Sequence, residues 1–164
     1  MSAPATNEAS APTARLRPTV VDRGSSGFFQ EAAQGRLSVL TCTSCGKRIH
    51  LPRPRCVYCG ATEPVWEPVA RTGTVYAHTV VEHQVHPLFP APYTVIVIDV
   101  DGEEDGVRMI GNLPGRAEVV AGTPVVCDFE DLGVDSEGNA VVIPLWRVAT
   151  ETELWRVTSE GSAS

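Results

Sequence analysis

The sequence predicts a mainly β protein in which a short helix, a small metal-bound ribbon and a β-barrel follow one another. Two Cys-x-x-Cys pairs, Cys42/Cys45 and Cys56/Cys59, are separated by ten residues and indicate a four-thiolate metal site. After them, β-branched runs alternate with clusters of turn-forming residues. The 13 prolines and 14 glycines of the 164 residues also favour many short elements over long helices.

The N-terminal head, residues 1–19, is rich in Ala, Pro, Ser and Thr, and this low complexity predicts disorder. The head lacks the apolar stretch of a secretory signal, so we expect a cytoplasmic protein. No apolar run approaches the roughly 18 residues that a membrane span needs, and no membrane association is expected.

A helical segment is predicted over residues 20–35. Ser25-Ser26 has the composition of an N-cap, and the stretch from Phe28 to Gln34 contains good helix formers. Gly35 stands where a C-terminal helix glycine belongs, so the helix is expected to end there.

A zinc ribbon is predicted over residues 36–63. Arg36–Thr41 alternates as a strand that leads into the first cysteine pair, and Lys47–Leu51 is expected to return antiparallel to it. Gly46 and Gly60 follow the two pairs and permit tight turns that aim backbone N–H groups at the sulfurs. Four thiolates complete a tetrahedral shell, so we expect a structural zinc ion rather than a catalytic one.

The cysteines have other possible uses. Two disulfides require an oxidising compartment, and a thioredoxin-type motif leaves the second pair unexplained. An iron centre uses the same four ligands and stays open as an alternative, although no other redox motif accompanies it. Cys127 lies in the apolar run that starts at Pro124 and is predicted to be a small core residue.

An OB-fold is predicted over residues 64–148, because five or six short strands without strong helices suit a small Greek-key barrel. The polar tail, residues 149–164, is expected to fray, with Trp155 available to a partner. The predicted strand runs are Val65–Val69, Gly73–Val81, Tyr93–Val100, Val107–Asn112, Val125–Glu130 and Ala140–Leu145.

The charge is unevenly distributed. The net charge is −7, yet residues 1–60 are net positive and residues 61–164 strongly negative. The acidic barrel disfavours generic nucleic-acid binding, which needs a broad positive surface. Arg53 and Arg55, between the cysteine pairs, are candidates for phosphate contact, although a plain solvated surface accounts for them equally well.

The loop before the third barrel run is apolar, and four of its residues, His86, Leu88, Phe89 and Tyr93, are predicted to contact a ligand or a partner. Folding of this loop over the barrel's own core is an equal alternative. His83-x-x-His86 has the residue types for a second metal or for acid–base chemistry, but loop surface or partner contact is favoured. No P-loop or dinucleotide motif is present.

The order of these motifs resembles the DUF35 family over residues 24–148. The resemblance implies an N-terminal helical segment, a rubredoxin-like zinc ribbon whose ligands are the four paired cysteines, and a C-terminal OB-fold. It rests on Phe28-Phe29, Gly35-Arg36-Leu37, the two Cys-x-x-Cys-Gly turns, Pro52-Arg53, Trp66, Gly73-Thr74-Val75-Tyr76, Thr79-Val80-Val81 and Pro124-Val125.

The family resemblance also implies a function. Members are accessory subunits that bind thiolase-like enzymes, including lipid-transfer-protein-like thiolases and aldolases of steroid side-chain degradation, and some join MaoC-type enoyl-CoA hydratases. The partner supplies the catalytic residues, so we expect a hetero-oligomer with no catalysis by this chain alone. Arg53 and Arg55 would then meet the phosphates of an acyl-CoA, and any hydratase is expected as a separate polypeptide.

Two other classes of function compete with this one. OB-folds and zinc ribbons both occur in single-stranded nucleic-acid binders, although the charge of this chain argues against that role. A hydrolase built around His83 and His86 is the third hypothesis, and it requires turnover by the isolated chain.

Overall fold

The computed structural model describes residues 16–103, 106–150, 152 and 153. The predictions for residues 1–15 of the head and for most of the tail, including Trp155, lie outside these ranges. No helix in them is both long and apolar enough to cross a bilayer. The elements are α1 (Ser26–Ala32), β1 (Ser38–Thr41), β2 (Arg48–Ile49), β3 (Val65–Pro68), β4 (Thr72–Val81), β5 (Tyr93–Val100), β6 (Arg108–Pro114), β7 (Pro124–Val134) and β8 (Ala140–Val148).

Helix α1 begins where the sequence predicts, but its N-terminus is held differently. Ser25 occupies the N-cap position, as the sequence predicts, but its side chain makes no capping hydrogen bond. The backbone carbonyl of Asp22 instead accepts the amides of Ser25 and Ser26 at 3.2 and 2.8 Å. At the other end Gly35 has φ +72°, and the next amide, of Arg36, donates to the Glu31 carbonyl at 3.0 Å, which completes the predicted glycine C-cap.

The ribbon sheet has the strand order β2-β1-β3, and both pairings are antiparallel. Leu40 pairs with Ile49, as expected for the strand that returns after the first cysteine turn. Leu40 also pairs with Trp66 of β3. The run Val65–Val69, which the sequence analysis assigns to the barrel, therefore contributes its strand to the ribbon.

Strand β1 serves two cores because successive side chains point to opposite faces of a strand. Val39 and the preceding Leu37 belong to the main core of the barrel. Leu40 belongs to a second core with Cys42, Ile49 and Cys56 in the ribbon. All four residues of β1 are buried, so ribbon and barrel share this strand as a common wall.

The barrel sheet has five antiparallel strands in the order β6-β5-β4-β7-β8. A β-bulge between Val75 and Ala77 bends β4, which pairs with β5 along most of its length but with β7 only at Thr72–Thr74. The core is mostly aliphatic and is filled by Val75, Ile96, Ile98, Val100, Met109, Leu113, Val125, Cys127 and Trp146.

Two tryptophans pack closely on glycines, one between β6 and β8 and one between α1 and β3. A Cβ atom on Gly111 of β6 would lie 2.6 Å from Trp146 of β8, so glycine is needed for these two strands to approach. A Cβ atom on Gly27 of α1 would lie 2.0 Å from the Trp66 indole. The helix is thereby pressed onto β3, and the ribbon, helix and barrel pack as one body.

Candidate metal centre

The four paired cysteines converge on one point. Their sulfurs all lie within 4.8 Å of one another, with Cys42 and Cys59 3.6 Å apart and Cys45 and Cys56 3.7 Å apart. A tetrahedral ion with metal–sulfur bonds of about 2.3 Å separates its sulfurs by about 3.8 Å, whereas a disulfide bond is about 2.05 Å long. The arrangement therefore suits a metal ion, and the disulfide alternative does not fit.

Two equivalent turns place the sulfurs. The amide of Gly46 donates to the Cys42 carbonyl, and the amide of Gly60 donates to the Cys56 carbonyl, both at 2.9 Å. These glycines have φ +71° and +77°, in the left-handed region that other residues adopt at a cost. The first cysteine of each pair is buried and the second is exposed.

Backbone amides prepare the cluster for negative charge. The amide of Cys45 and then that of Ser44 stabilise the Cys42 thiolate, which lowers the pKa of Cys42 to about 6 although desolvation opposes it. The Lys47 amide acts in the same direction on Cys45, but desolvation and the neighbouring sulfurs outweigh it and raise the pKa of Cys45 to about 12. Repulsion among the sulfurs thus confines the negative charge to part of the cluster, and a divalent cation would remove that limit.

The predicted phosphate ligands lie on the ribbon surface. Arg53 and Arg55 are exposed, and Arg55 makes a long 3.4 Å hydrogen bond to the Gly60 carbonyl. Arg48 forms two salt bridges, one with Glu67 of β3 at 2.8 Å and one with Glu103, after β5, at 3.1 Å. The Arg48–Glu103 pair connects the ribbon to the barrel, and no pattern in the sequence predicts it.

The apolar loop encloses a cavity. Leu88, Phe89 and Tyr93 line a space of about 260 Å³ together with Ile143 and Leu145 of β8. The Phe89 and Tyr93 rings meet edge to face, with centroids 4.6 Å apart. His86 is not among the lining residues, and its Nδ1 accepts the Leu88 amide at 3.1 Å, which shapes the loop. Three of the four predicted loop residues are therefore brought together, and their role in binding stays a prediction.

Other candidate groups do not assemble into a second site. In the described ranges, the paired cysteines are the only cluster of three or more metal-binding side chains, so His83 and His86 join no such group. Cys127 is buried in the main core, and burial raises the pKa of its thiol to about 12. The prediction of a core cysteine is confirmed, and a thiol so hard to ionise is a poor nucleophile.

The structure also shows an aromatic and cationic contact that the sequence does not predict. Arg108 lies 3.7 Å from the centroid of the Tyr76 ring, on the outer side of the barrel sheet. The available signal was the β5 run, Tyr93–Val100, which is apolar at positions of both faces and not only at alternate ones.

The comparisons with known proteins agree with this architecture. A family model described as the ChsH2 rubredoxin-like zinc ribbon domain matches residues 29–65, and one described as the ChsH2 C-terminal OB-fold domain matches residues 66–130. A chain of the solved Ltp2-ChsH2(DUF35) aldolase is 34% identical, with a TM-score of 0.64, and the match covers 82% of this chain and 100% of that one. This chain belongs to the ChsH2 (DUF35) family. The mainly β fold, the zinc ribbon and the OB-fold are thereby confirmed.

A curated relative is longer than this ChsH2-family chain. It is a probable enoyl-CoA hydratase alpha subunit from Thermomonospora curvata (strain ATCC 19995), 35% identical over 143 residues. The match covers 84% of this chain and 42% of the relative, so the chain spans about two fifths of that protein's length.

Proposed function

We propose that this chain is a non-catalytic subunit that binds a thiolase-like or lipid-transfer-protein-type aldolase or thiolase, and that it helps to form the acyl-CoA site of that enzyme. The observation that carries the proposal is the likeness to the solved Ltp2-ChsH2(DUF35) aldolase, in which the match covers the whole of the compared chain. The hydratase name of the longer relative supports acyl-CoA chemistry and a MaoC-type hydratase as a further partner.

The chemistry of the described residues supports a non-catalytic role. Cys127 is sealed in the core with a raised pKa. The carboxylate of Glu82, beside His83, accepts hydrogen bonds from Nε and Nη2 of Arg116 at 3.0 and 2.7 Å. Glu82 is therefore engaged by Arg116 rather than orienting the adjacent His83 as a base.

The metal in this proposal is zinc, held by Cys42, Cys45, Cys56 and Cys59. Bound there, zinc would supply structural cross-linking of the two turns, because four sulfurs leave no position for water or substrate. Iron shares the same ligands, and metal analysis of the purified protein distinguishes the two. A site of this kind also fits the cytoplasm, where thiols stay reduced.

The acyl-CoA contacts are assigned to two surfaces. Arg53 and Arg55 would meet the phosphates, and the loop with His86, Leu88, Phe89 and Tyr93 would border the acyl part, for which a steroid side-chain thioester is the leading candidate. The test is Arg53→Ala/Arg55→Ala in the assembled enzyme, which should raise KM for the CoA thioester severalfold with kcat unchanged. Arg23→Ala, another exposed arginine, is the control.

The central experiment is co-expression with a thiolase-like protein from the same genome. We expect the two to co-elute as one hetero-oligomer that turns over an acyl-CoA substrate, while this chain alone gives no turnover. Turnover by the isolated chain, abolished by His83→Ala or His86→Ala, would revive the hydrolase hypothesis. Failure of the two proteins to associate would remove the proposal.

The nucleic-acid alternative gains no support from the barrel. Single-stranded binders place cations and aromatic rings along the sheet face. On the outer side of β4, β5 and β6 the cation is Arg108, and its Nε is already 2.8 Å from Asp99. Micromolar, salt-sensitive binding of an oligonucleotide is the result that would restore this alternative.

A further inference from the structure

The second face of strand β5 is unusually apolar for a surface. Thr94, Ile96, Ile98 and Val100 are buried in the barrel, so the intervening side chains point outward. Three of those four outer residues are apolar: Tyr93 packs against Phe89 of the apolar loop, and Val95 and Val97 are half-buried. An antiparallel strand with water on one side normally alternates apolar and polar residues. This pattern is typical of a strand that is covered on both faces.

The neighbouring strands extend this apolar surface. The register aligns Ala77 of β4, Val97 of β5 and Ile110 of β6 in one row across the sheet. The Ile110 side chain is 61% exposed. We call this surface the outer face and define it by Tyr76, Ala77, Val95, Val97, Arg108 and Ile110.

One end of the outer face is preorganised and electrically neutral. The Arg108 guanidinium lies 3.7 Å from the Tyr76 ring centroid and its Nε is 2.8 Å from the Asp99 carboxylate. Tyr76 is nevertheless 51% exposed. Tyr and Arg dominate the binding energy of protein interfaces, and here the charge of the arginine is already balanced. The outer face thus suits an uncharged occupant rather than a phosphate.

Within the described residues, no strand pairs with the edge of β4 next to this face beyond Thr74. Residues 76–80 are all exposed, and the pairing of β4 with β7 stops at Thr74. A β-bulge interrupts β4 at Val75/Ala77, but the stretch 77–81 beyond it contains no Lys, Pro or acidic residue, which are further devices against unwanted strand pairing. Free backbone N–H and C=O groups along an edge are matched best by another polypeptide, which favours a protein as the occupant.

We infer that the outer face and the edge of β4 beyond Thr74 dock the thiolase-like subunit, through an uncharged apolar surface of that subunit. The inference rests on the proposed function and adds the surface by which it is carried out. A different protein is favoured over a second copy because the solved relative is an aldolase with two named components, Ltp2 and ChsH2. Because Asp99 balances the charge of Arg108, the outer face carries no uncompensated charge, which fits a stable, mainly apolar contact.

The test measures binding of the full-length chain to a purified thiolase-like protein from the same genome by calorimetry. Ile110→Glu places a charge in the outer face and should weaken Kd by at least about 30-fold. Val134→Glu is the matched control, since Val134 is 60% exposed and lies at the far end of β7. It should change Kd by less than about threefold, because surface substitutions outside an interface have small effects.

A second variant guards against misfolding. Val97→Thr keeps the β-branching of valine but places a hydroxyl in the outer face, and it should weaken Kd at least about threefold while far-UV circular dichroism stays that of the wild type. If the wild type binds and Ile110→Glu and Val97→Thr bind as tightly as Val134→Glu, the outer face is not the interface, although the proposed function stands.

Two further outcomes also decide the inference. If the wild type binds no thiolase-like protein, the proposed function fails and the inference fails with it. If the isolated chain is a dimer that Ile110→Glu converts to a monomer, the occupant of the outer face is a second copy, and the inference is overturned.

Discussion

Cys45 and Cys59 are the two cluster sulfurs that face solvent, whereas Cys42 and Cys56 belong to the apolar core of the ribbon. Cys42 and Cys56 therefore have two roles: they are metal ligands, and they also pack with Leu40 and Ile49 in the ribbon core. Replacement of an exposed ligand tests metal binding separately from core packing, because it removes a sulfur without opening a cavity in the core.

We expect Cys59→Ser to lose most of its bound metal, because a hydroxyl binds zinc far more weakly than a thiolate does. Tyr58→Ser is the control, as Tyr58 lies in the same turn and is 64% exposed. Metal content per chain, measured by mass spectrometry after dialysis, checks the prediction. Equal metal in the two variants would show that Cys59 is not a ligand.

At this scale the sequence predicts ligands better than ion pairs. The four cysteines are predictable because each pair is local and only one chemistry explains two such pairs at this spacing. Arg48 forms ion pairs with Glu67 and Glu103. Both glutamates are distant from Arg48 along the chain, and they reach it only through strand pairing and the packing of the ribbon on the barrel. No local pattern marks them.

Among the elements, the β7–β8 hairpin departs most from its prediction. The strands extend to Val134 and Val148, past the apolar runs that predict them. Asp131 still pairs with Val142. The register then shifts, and pairing resumes between Val134 and Ala140. Hydrophobic patterns end where burial ends, but cross-strand hydrogen bonds continue into solvent-exposed hairpin arms, so the sequence underestimates strand length there.

The stability of the turn in this hairpin should depend on pH through Asp135. Asn139 lowers the pKa of Asp135, first through its side chain and then through its backbone amide, and the Glu137 and Gly138 amides add to the effect. The folded state therefore prefers the carboxylate, so its contribution to hairpin stability is present above the unfolded pKa and is lost as pH falls through the folded pKa.

We expect an NMR titration to give Asp135 a pKa below that of an ordinary aspartate. Asn139→Ala removes the largest cause and should raise this pKa toward its usual value. Ser136→Ala, at the exposed position next to Asp135, should leave it unchanged. An unaltered Asp135 pKa in Asn139→Ala would contradict the assignment of the turn contacts.

Across the whole molecule, ribbon and barrel are joined by β1 and by the Arg48–Glu103 ion pair. On one face of β1, Val39 packs in the barrel core. On the other face, Leu40 packs in the ribbon core, so both cores include the same strand. Loss of order in the ribbon must therefore expose side chains of the barrel core. This coupling makes the metal relevant to the stability of the entire fold.

Metal removal should consequently destabilise the whole protein in one cooperative transition. Structural zinc contributes on the order of 10 kcal/mol to small zinc domains, and each kcal/mol moves Tm by about 2–4 °C in a domain of this size. We expect a chelator to lower Tm by at least about 10 °C, measured by circular dichroism, and added zinc to restore it. A barrel transition that keeps its Tm while the ribbon melts separately would contradict the coupling.

At the scale of the fold, element types are predictable but sheet membership is not. The composition and turn spacing predict a five- to six-stranded barrel, and the barrel sheet has five strands. Val65–Pro68 reads as a strand in either sheet, because its pattern specifies a half-buried surface and not the identity of the neighbour. Its partner is decided by the position of β1, which only the assembled structure shows.

The dual use of β1 has a consequence for heredity. Recombination that exchanged the ribbon between two related genes would carry Leu37 and Val39 into a foreign barrel, where their volumes would have to match a new interior. Substitutions at these two positions should therefore covary among descendants with substitutions inside the barrel, and the crossover points that survive selection should lie before α1 rather than between the ribbon and Thr72.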